Sequence, residues 1–373
     1  MRPSPIHEIH KSLGAAFCKV MGREMPAHYR NPVAEHLNVR KGAGIADLTY
    51  RGKICISGKD RTAFLQKILS QDMNKFTPNI GAYSTLLDVK GKMLAYMRIY
   101  CDEGTYLIDV EPGQSENLLQ ILTRYLFRED VRIEDVTEQY GLITIQGPLS
   151  GKLLAKVTRT EWRDMTECSH IHFTINTVNC RIVRTSYIGE EGYDIYSLQD
   201  GTPVVWEAFF AAGIEYGIRP FGLYALETLR IEAGTPVYYI DMDEHTLPVE
   251  ANLDKAISYD KGCYIGQETI ARIKFRGHVN RTLTGFIFNE DIIPMKGDKI
   301  YNISDNSEHN IGVITSSCFS PTLNKVIALG YIRLENNKPG EAVCIIKDSH
   351  ILIATVTKLP FYQPQKPDIS KLV

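Results

Sequence analysis

The sequence predicts an α+β protein in which a β-α-β-β-α unit occurs twice and an all-β barrel follows. Three observations carry this. Strand and helix signals alternate from Gly52, the same order restarts at Gly141, and beyond Arg281 only short strand signals remain. At 373 residues the chain exceeds the usual single-domain length, so several units with sizeable cores are expected.

In the first unit Lys53-Ile54-Cys55-Ile56-Ser57 alternates as a strand, and Asp60 is placed to cap a helix through Phe64, Leu65, Ile68 and Leu69. Tyr83–Leu87 and Met93–Tyr100 read as strands around the Lys90-Gly91 turn, and Tyr106–Val110 as another. Gln114–Phe127 is predicted helical, with Leu118, Leu119, Leu122 and Leu126 on one face.

The next portion repeats that order. Gly141-Leu142-Ile143-Thr144-Ile145-Gln146-Gly147 mirrors Gly52-Lys53-Ile54-Cys55-Ile56-Ser57-Gly58. Glu191–Ile195 echoes Glu103–Leu107 at nearly the same offset. A duplicated, ferredoxin-like unit makes the seam between copies a natural ligand cleft. Beyond Arg281, strand signals at Thr284–Phe288, Lys299–Asn302, Ile311–Ser316, Val326–Ile332, Ala342–Ile346 and Leu352–Lys358 are separated by Gly, Asn, Asp and Pro, as in a small barrel or sandwich. The divisions expected are an N-terminal segment over 1–50 packed on the centre, units over 51–139 and 140–280, a barrel over 281–363 and a tail over 364–373.

Charge nearly cancels, with 42 Lys and Arg against 44 Asp and Glu, so no global field points to nucleic acid or an anionic membrane. Arg272, Lys274, Arg276 and Arg281 form a local basic strip that reads equally as a solvated helix face. Direct nucleic-acid binding is not expected. Eight scattered cysteines (Cys18, Cys55, Cys101, Cys168, Cys180, Cys263, Cys318, Cys344) contain no Cys-x-x-Cys pair, which fits reduced thiols in a cytoplasmic protein. The opening residues show no secretory signal, and no apolar run reaches membrane-spanning length, so no membrane partner is expected.

Two stretches carry candidate chemistry. Tyr187-Ile188-Gly189-Glu190-Glu191-Gly192-Tyr193-Asp194 gathers aromatics and carboxylates on a glycine-flanked turn. It is either an ordinary acidic hairpin or a wall and a carboxylate for a flat heterocycle with adjacent N–H donors. Lys261-Gly262-Cys263-Tyr264-Ile265-Gly266-Gln267-Glu268 sets one thiol beside a lysine and ahead of a helix. Both neighbours favour a thiolate, Glu268 opposes it, and a small buried hydrophobe is the alternative. Asp241, Asp243, Glu244 and His245 read as a polar loop, and no metal is assigned.

The cysteine run, continued by Ala271-Arg272-Ile273-Lys274-Phe275-Arg276-Gly277 and Asn280-Arg281, resembles the signature of the YgfZ-type folate-binding family. That family is a branch of the superfamily of the glycine-cleavage T-protein, an aminomethyltransferase. The resemblance runs from about Asn31 to about Tyr362. It implies two α+β units and a barrel around a folate channel, with tetrahydrofolate as cofactor.

On the same resemblance, Tyr187, Glu190, Asp194, Arg230, Tyr264, Arg272 and Arg276 are the expected folate-binding residues. Asp194 stands where T-proteins carry a glutamate that grips the pterin, and Arg230 matches the arginine of their Leu-Arg-x-Glu-Ala-Gly-x-Pro stretch. The T-protein acidic pair is replaced by Ala95 and Tyr96, and neither supplies a carboxylate. The implied function is therefore a folate-binding protein that supports iron–sulfur client proteins through Cys263, with Lys261 tuning its thiol. A working folate-dependent aminomethyltransferase is the alternative, needing a carboxylate from Asp88 or elsewhere.

Overall fold

The structure is a computed structural model that describes residues 2–162, 164–303, 309–347 and 350–364. Most of the tail expected over 364–373 lies outside the described residues. The N-terminal segment holds β1 (Arg2–Pro3), α1 (His7–Ser12), β2 (Ala16–Val20), β3 (Arg23–His28), α2 (Pro32–Lys41) and β4 (Gly44–Asp47). The first unit follows with β5 (Gly52–Ser57), α3 (Arg61–Ile68), β6 (Gly81–Leu87), β7 (Met93–Cys101), β8 (Thr105–Val110), α4 (Ser115–Tyr125) and β9 (Arg132–Asp135). The second holds β10 (Tyr140–Gln146), α5 (Ser150–Thr158), β11 (His170–Ile175), β12 (Val178–Thr185), β13 (Gly192–Leu198), α6 (Thr202–Ala212) and β14 (Arg219–Pro220).

The duplication is visible in the sheets. The first has strand order β6-β7-β8-β5-β9 and the second β11-β12-β13-β10-β4-β14, so four strands correspond one to one in space. The copies differ at one place. β9 of the first unit pairs antiparallel with β5, whereas in the second sheet β4, from the N-terminal segment, takes the matching place beside β10. β14 is displaced outward and runs parallel to β4.

Each sheet packs its own helices on one face. Ile54, Ile56, Phe64, Leu65, Leu118 and Leu122 form the first core, as the helix pattern predicts. Ile143, Ile182, Ile195, Trp206 and Phe209 belong to the second. Asp60 does stand at the start of α3, but its carboxylate accepts from the Asp130 backbone N–H rather than from its own helix.

The other two faces meet across a seam containing Tyr100, Leu107, Leu142, Val183 and Tyr196. Strand alternation sorts β7 accordingly. Ala95, Met97 and Ile99 enter the first core, leaving Tyr96, Arg98 and Tyr100 for the opposite face.

Two helices join the units to the barrel: α7 (Leu223–Glu232) and α8 (Gln267–Arg276). The barrel comprises β15 (Arg281–Phe288), β16 (Lys299–Asn302), β17 (Asn310–Ser320), β18 (Lys325–Arg333), β19 (Ala342–Lys347) and β20 (His350–Thr357). It closes in the order β15-β18-β17-β16-β19-β20, which leaves no free sheet edge. Among the described residues, no helix is long and apolar enough to cross a membrane.

Candidate functional site

A cleft of about 840 Å³ opens where both units, the linker and the barrel meet. The first unit contributes Tyr83 and Tyr96, and the second Tyr187. Thr284 and Tyr362 come from the barrel side. The rings of Tyr83 and Tyr96 lie nearly parallel, 5.7 Å apart with an interplanar angle of 7°. Burial raises the Tyr96 phenol far above its ordinary range, so it stays neutral near pH 7 and serves as a wall rather than a base. Of the two residues that replace the acidic pair, only Tyr96 faces the cleft; Ala95 is in the first core.

Tyr187 also lines a smaller, enclosed space of about 30 Å³ with Arg51, Arg98, Glu111, Gln146 and Asp194. That volume holds little more than a water molecule. Arg98 organises this space. Its Nη1 donates to Asp194 Oδ2 at 2.6 Å, and its Nε and Nη2 donate to Asp109 Oδ1 at 3.1 and 2.8 Å. Arg51 donates to the same Asp109 oxygen and, through Nη1, to Glu111 at 2.7 Å.

Two carboxylates in this network are driven in opposite directions. Burial raises Asp109, but the flanking Arg51 and Arg98 charges outweigh it and hold the group well below the usual carboxylate range. Burial also pushes Asp194 up, and there the opposing pull of Arg98 is smaller. Gln146 donates through Nε2 to Thr144 at 2.7 Å, while its buried Oε1 has no partner. An unpaired buried acceptor costs free energy unless something supplies a donor.

Of the residues singled out from sequence, Tyr187 and Asp194 come together here. The others are placed elsewhere. Glu190 is buried against Arg40, whose guanidinium stacks on the cleft residue Tyr362 at 4.0 Å. Arg230 is fully buried, with Asp241 at 2.6 Å, Ser316 at 2.7 Å and Glu227 at 2.9 Å. Its donors tie α7 to the barrel, so the expected folate contact is replaced by an internal one.

Tyr264 is buried in the core beneath α8, and Arg272 and Arg276 stand on α8 away from the cleft lining. Asp88 accepts from the Lys90 and Lys92 backbone N–H groups and shapes the turn after β6. It does not line the cleft.

The cysteine run is a docking loop. The Lys261 ammonium donates to the carbonyls of Gln66, Leu69 and Gln71 at 2.8, 2.6 and 2.9 Å, at the end of α3. Burial pushes this lysine down to about 8. Its three N–H donors are taken by those carbonyls, and the ammonium anchors the loop to the end of α3. Gly266 has φ +82°, and a Cβ there would lie 2.5 Å from the Asp88 carbonyl oxygen, so only glycine lets the loop rest on the β6–β7 hairpin. Cys263 itself is exposed.

Sequence reasoning missed Arg51, Arg98, Asp109, Glu111 and Gln146. Charged residues at Arg98 and Asp109 interrupt otherwise apolar strands, which was the available signal.

Comparison with known proteins agrees with this layout. Residues 6–261 match the model of the GCVT N-terminal domain, and residues 281–363 that of the glycine cleavage T-protein C-terminal barrel domain. An aminomethyltransferase of Halothermothrix orenii is 33% identical, over 97% of this chain and 100% of its own length. One of Saccharopolyspora erythraea is 32% identical, over 97% of this chain and 98% of its own. The crystal structure of glycine cleavage system aminomethyltransferase T from Bartonella henselae has the same fold, with TM-score 0.87 at 23% identity, covering 98% of this chain and 99% of that one.

These full-length relatives overturn the reading of the chain as a YgfZ-type folate-binding protein acting on iron–sulfur clients; they favour the aminomethyltransferase alternative. A short cysteine run was outweighed by likeness along the entire chain. With both family models matched in order and the two halves meeting at a tyrosine-walled cleft, the chain belongs to the glycine cleavage T-protein family.

Proposed function

We propose that the protein is a tetrahydrofolate-dependent aminomethyltransferase whose pterin lies in the cleft between the duplicated units. The observation that carries this is the unpartnered, buried Gln146 Oε1, which lines a small space with Asp194; Tyr187 borders both that space and the larger cleft walled by Tyr83 and Tyr96. Adjacent N–H donors on a pterin edge match two such acceptors, and flat aromatic walls match its faces. The full-length likeness to aminomethyltransferases supports the same reading.

In that reaction a carrier-bound aminomethyl group passes to the folate. The methylene carbon's bonds to the carrier sulfur and to its own amine nitrogen break, two C–N bonds form to folate nitrogens, and the two displaced N–H protons leave on the carrier thiol and on ammonia. Asp194 and Gln146 orient the ring, Tyr96 walls the cleft, and Glu111, which lines the small space with Asp194, is a carboxylate whose charge acts on the Tyr96 phenol. Arg51 holds Glu111 in place through its 2.7 Å contact.

The test is formation of methylenetetrahydrofolate from tetrahydrofolate and an aminomethylated lipoyl carrier protein, with binding of tetrahydrofolate measured by calorimetry. Binding with product formation is expected. Absence of product with an active carrier overturns the assignment.

A further inference from the structure

Away from the cleft, where the turn after β7 meets the sheet-edge strand β11, three ligand-bearing side chains converge. Oδ1 of Asp102 lies 3.3 Å from Nε2 of His170 and 2.7 Å from Nε2 of His172. All three donor atoms fall within 4.8 Å of one another. His170 and His172 are two residues apart on one strand, so alternation puts both rings on the same face. Their planes cross at 82° with centroids 5.9 Å apart, and both Nε2 atoms face the same Asp102 oxygen.

Arg181, opposite His172 in the β11–β12 register, holds Asp102 through its other oxygen, Oδ2. That leaves Oδ1 facing the histidines. A cavity of about 680 Å³, lined in part by Asn79, Asp102, Trp162 and His172, opens beside them. The proposed transfer reaction uses none of these groups.

We propose that Asp102, His170 and His172 bind a divalent transition-metal ion, with solvent from the adjacent cavity completing its coordination. Two imidazoles and one carboxylate form a three-ligand donor set suited to zinc or ferrous iron. Donor atoms bonded at about 2.0–2.1 Å to a tetrahedral ion stand roughly 3.3 Å apart. The His170–Asp102 pair already has that separation. The His172–Asp102 pair must open by roughly 0.6 Å to reach it, and the His172 side chain, 57% exposed, has room to move.

The Arg181 guanidinium orients the carboxylate while repelling an incoming cation, which sets the expected affinity in the micromolar rather than the nanomolar range. Asp102 belongs to the first unit and both histidines to the second, so a bound ion staples the two halves together.

Chelator-stripped protein titrated with Co²⁺ tests the site. One equivalent is expected to produce visible ligand-field absorption that Zn²⁺ abolishes, with a rise in melting temperature. His172→Ala removes a surface ring, so its fold is expected to survive, and it should weaken Co²⁺ binding by roughly tenfold or more. Cys263→Ala deletes an exposed soft ligand elsewhere and should leave the titration unchanged. Failure of the stripped protein to take up one equivalent overturns the proposal, as does wild-type Co²⁺ binding by both His172→Ala and Asp102→Asn.

Discussion

Arg98 Nη1 lies 2.6 Å from Asp194 Oδ2, and this buried ion pair joins the first duplicated unit to the second. The same guanidinium grips Asp109 on β8, so one side chain fixes the spacing of two sheets. Replacing Arg98 with Met strands the buried Asp194 carboxylate and leaves Asp109 with Arg51 as its one guanidinium partner. A loss of about 3–5 kcal/mol is expected in denaturant unfolding. A loss below about 1 kcal/mol would show that the seam does not depend on this contact.

Gln146→Leu separates folding from binding. The variant removes an acceptor with no internal partner together with the Nε2–H donor to Thr144; the two effects oppose, so stability should change by less than about 1.5 kcal/mol. Tetrahydrofolate affinity should fall by roughly tenfold, the worth of one or two lost hydrogen bonds. Unchanged affinity by calorimetry would place the pterin edge elsewhere.

Tyr96→Phe and Tyr96→Ala distinguish a wall from a base. Because burial keeps the phenol neutral across the working range, the Phe variant should retain the wild-type pH–rate profile. The Ala variant loses a stacking surface worth about 1–3 kcal/mol, seen as a higher dissociation constant for tetrahydrofolate. A profile that shifts in Tyr96→Phe would return a proton-transfer role to this residue.

Glu232 makes acid stability testable. Burial raises its carboxyl, but the hydrogen bond and charge of His36, with Ser320 and Arg40, outweigh that and hold it at about 2. The folded value is below the ordinary 4.5, so the stabilisation is complete above about 4.5 and is lost as pH falls toward 2. It amounts to something on the order of 3 kcal/mol. Unfolding curves of Glu232→Gln should show lower stability at neutral pH and a shallower decline below pH 4.5 than the parent chain. Parallel curves would remove Glu232 from the acid response.

Lys261→Met should lower the melting temperature, since three carbonyls at the end of α3 lose their donor. Cys263→Ser should leave both melting and tetrahydrofolate binding as they were, because the thiol is exposed and outside the cleft lining. A large effect of the serine variant on transfer would bring the thiol back into the reaction.

Much of the architecture could be read from local pattern. The glycine-bounded strands at Gly52 and Gly141 occupy equivalent places in two sheets, and Leu118 and Leu122 face the first core as their helical spacing requires. Tyr187 and Asp194 were legible because a glycine turn concentrates aromatic and acidic groups. Arg230 and Lys261 were not, because their partners lie in the barrel strand β17 and at the end of α3, far along the chain. No local pattern distinguishes a cation facing ligand from one facing backbone carbonyls. The cysteine run misled for a related reason: Lys261 and Gly266 answer to loop docking, which resembles a reactive-thiol environment when only neighbours in sequence are visible.

The place of β4 beside β10 has a consequence for biosynthesis. A ribosome releases β4 well before its partner exists, so that segment must wait, unpaired, while the entire first unit emerges and folds. Excising residues 140–280 alone would leave a raw sheet border on β10 exactly where β4 normally lies, and the fragment is expected to aggregate through it. Dissection of this protein should therefore keep its opening fifty residues with the later half, by permuting the chain rather than truncating it.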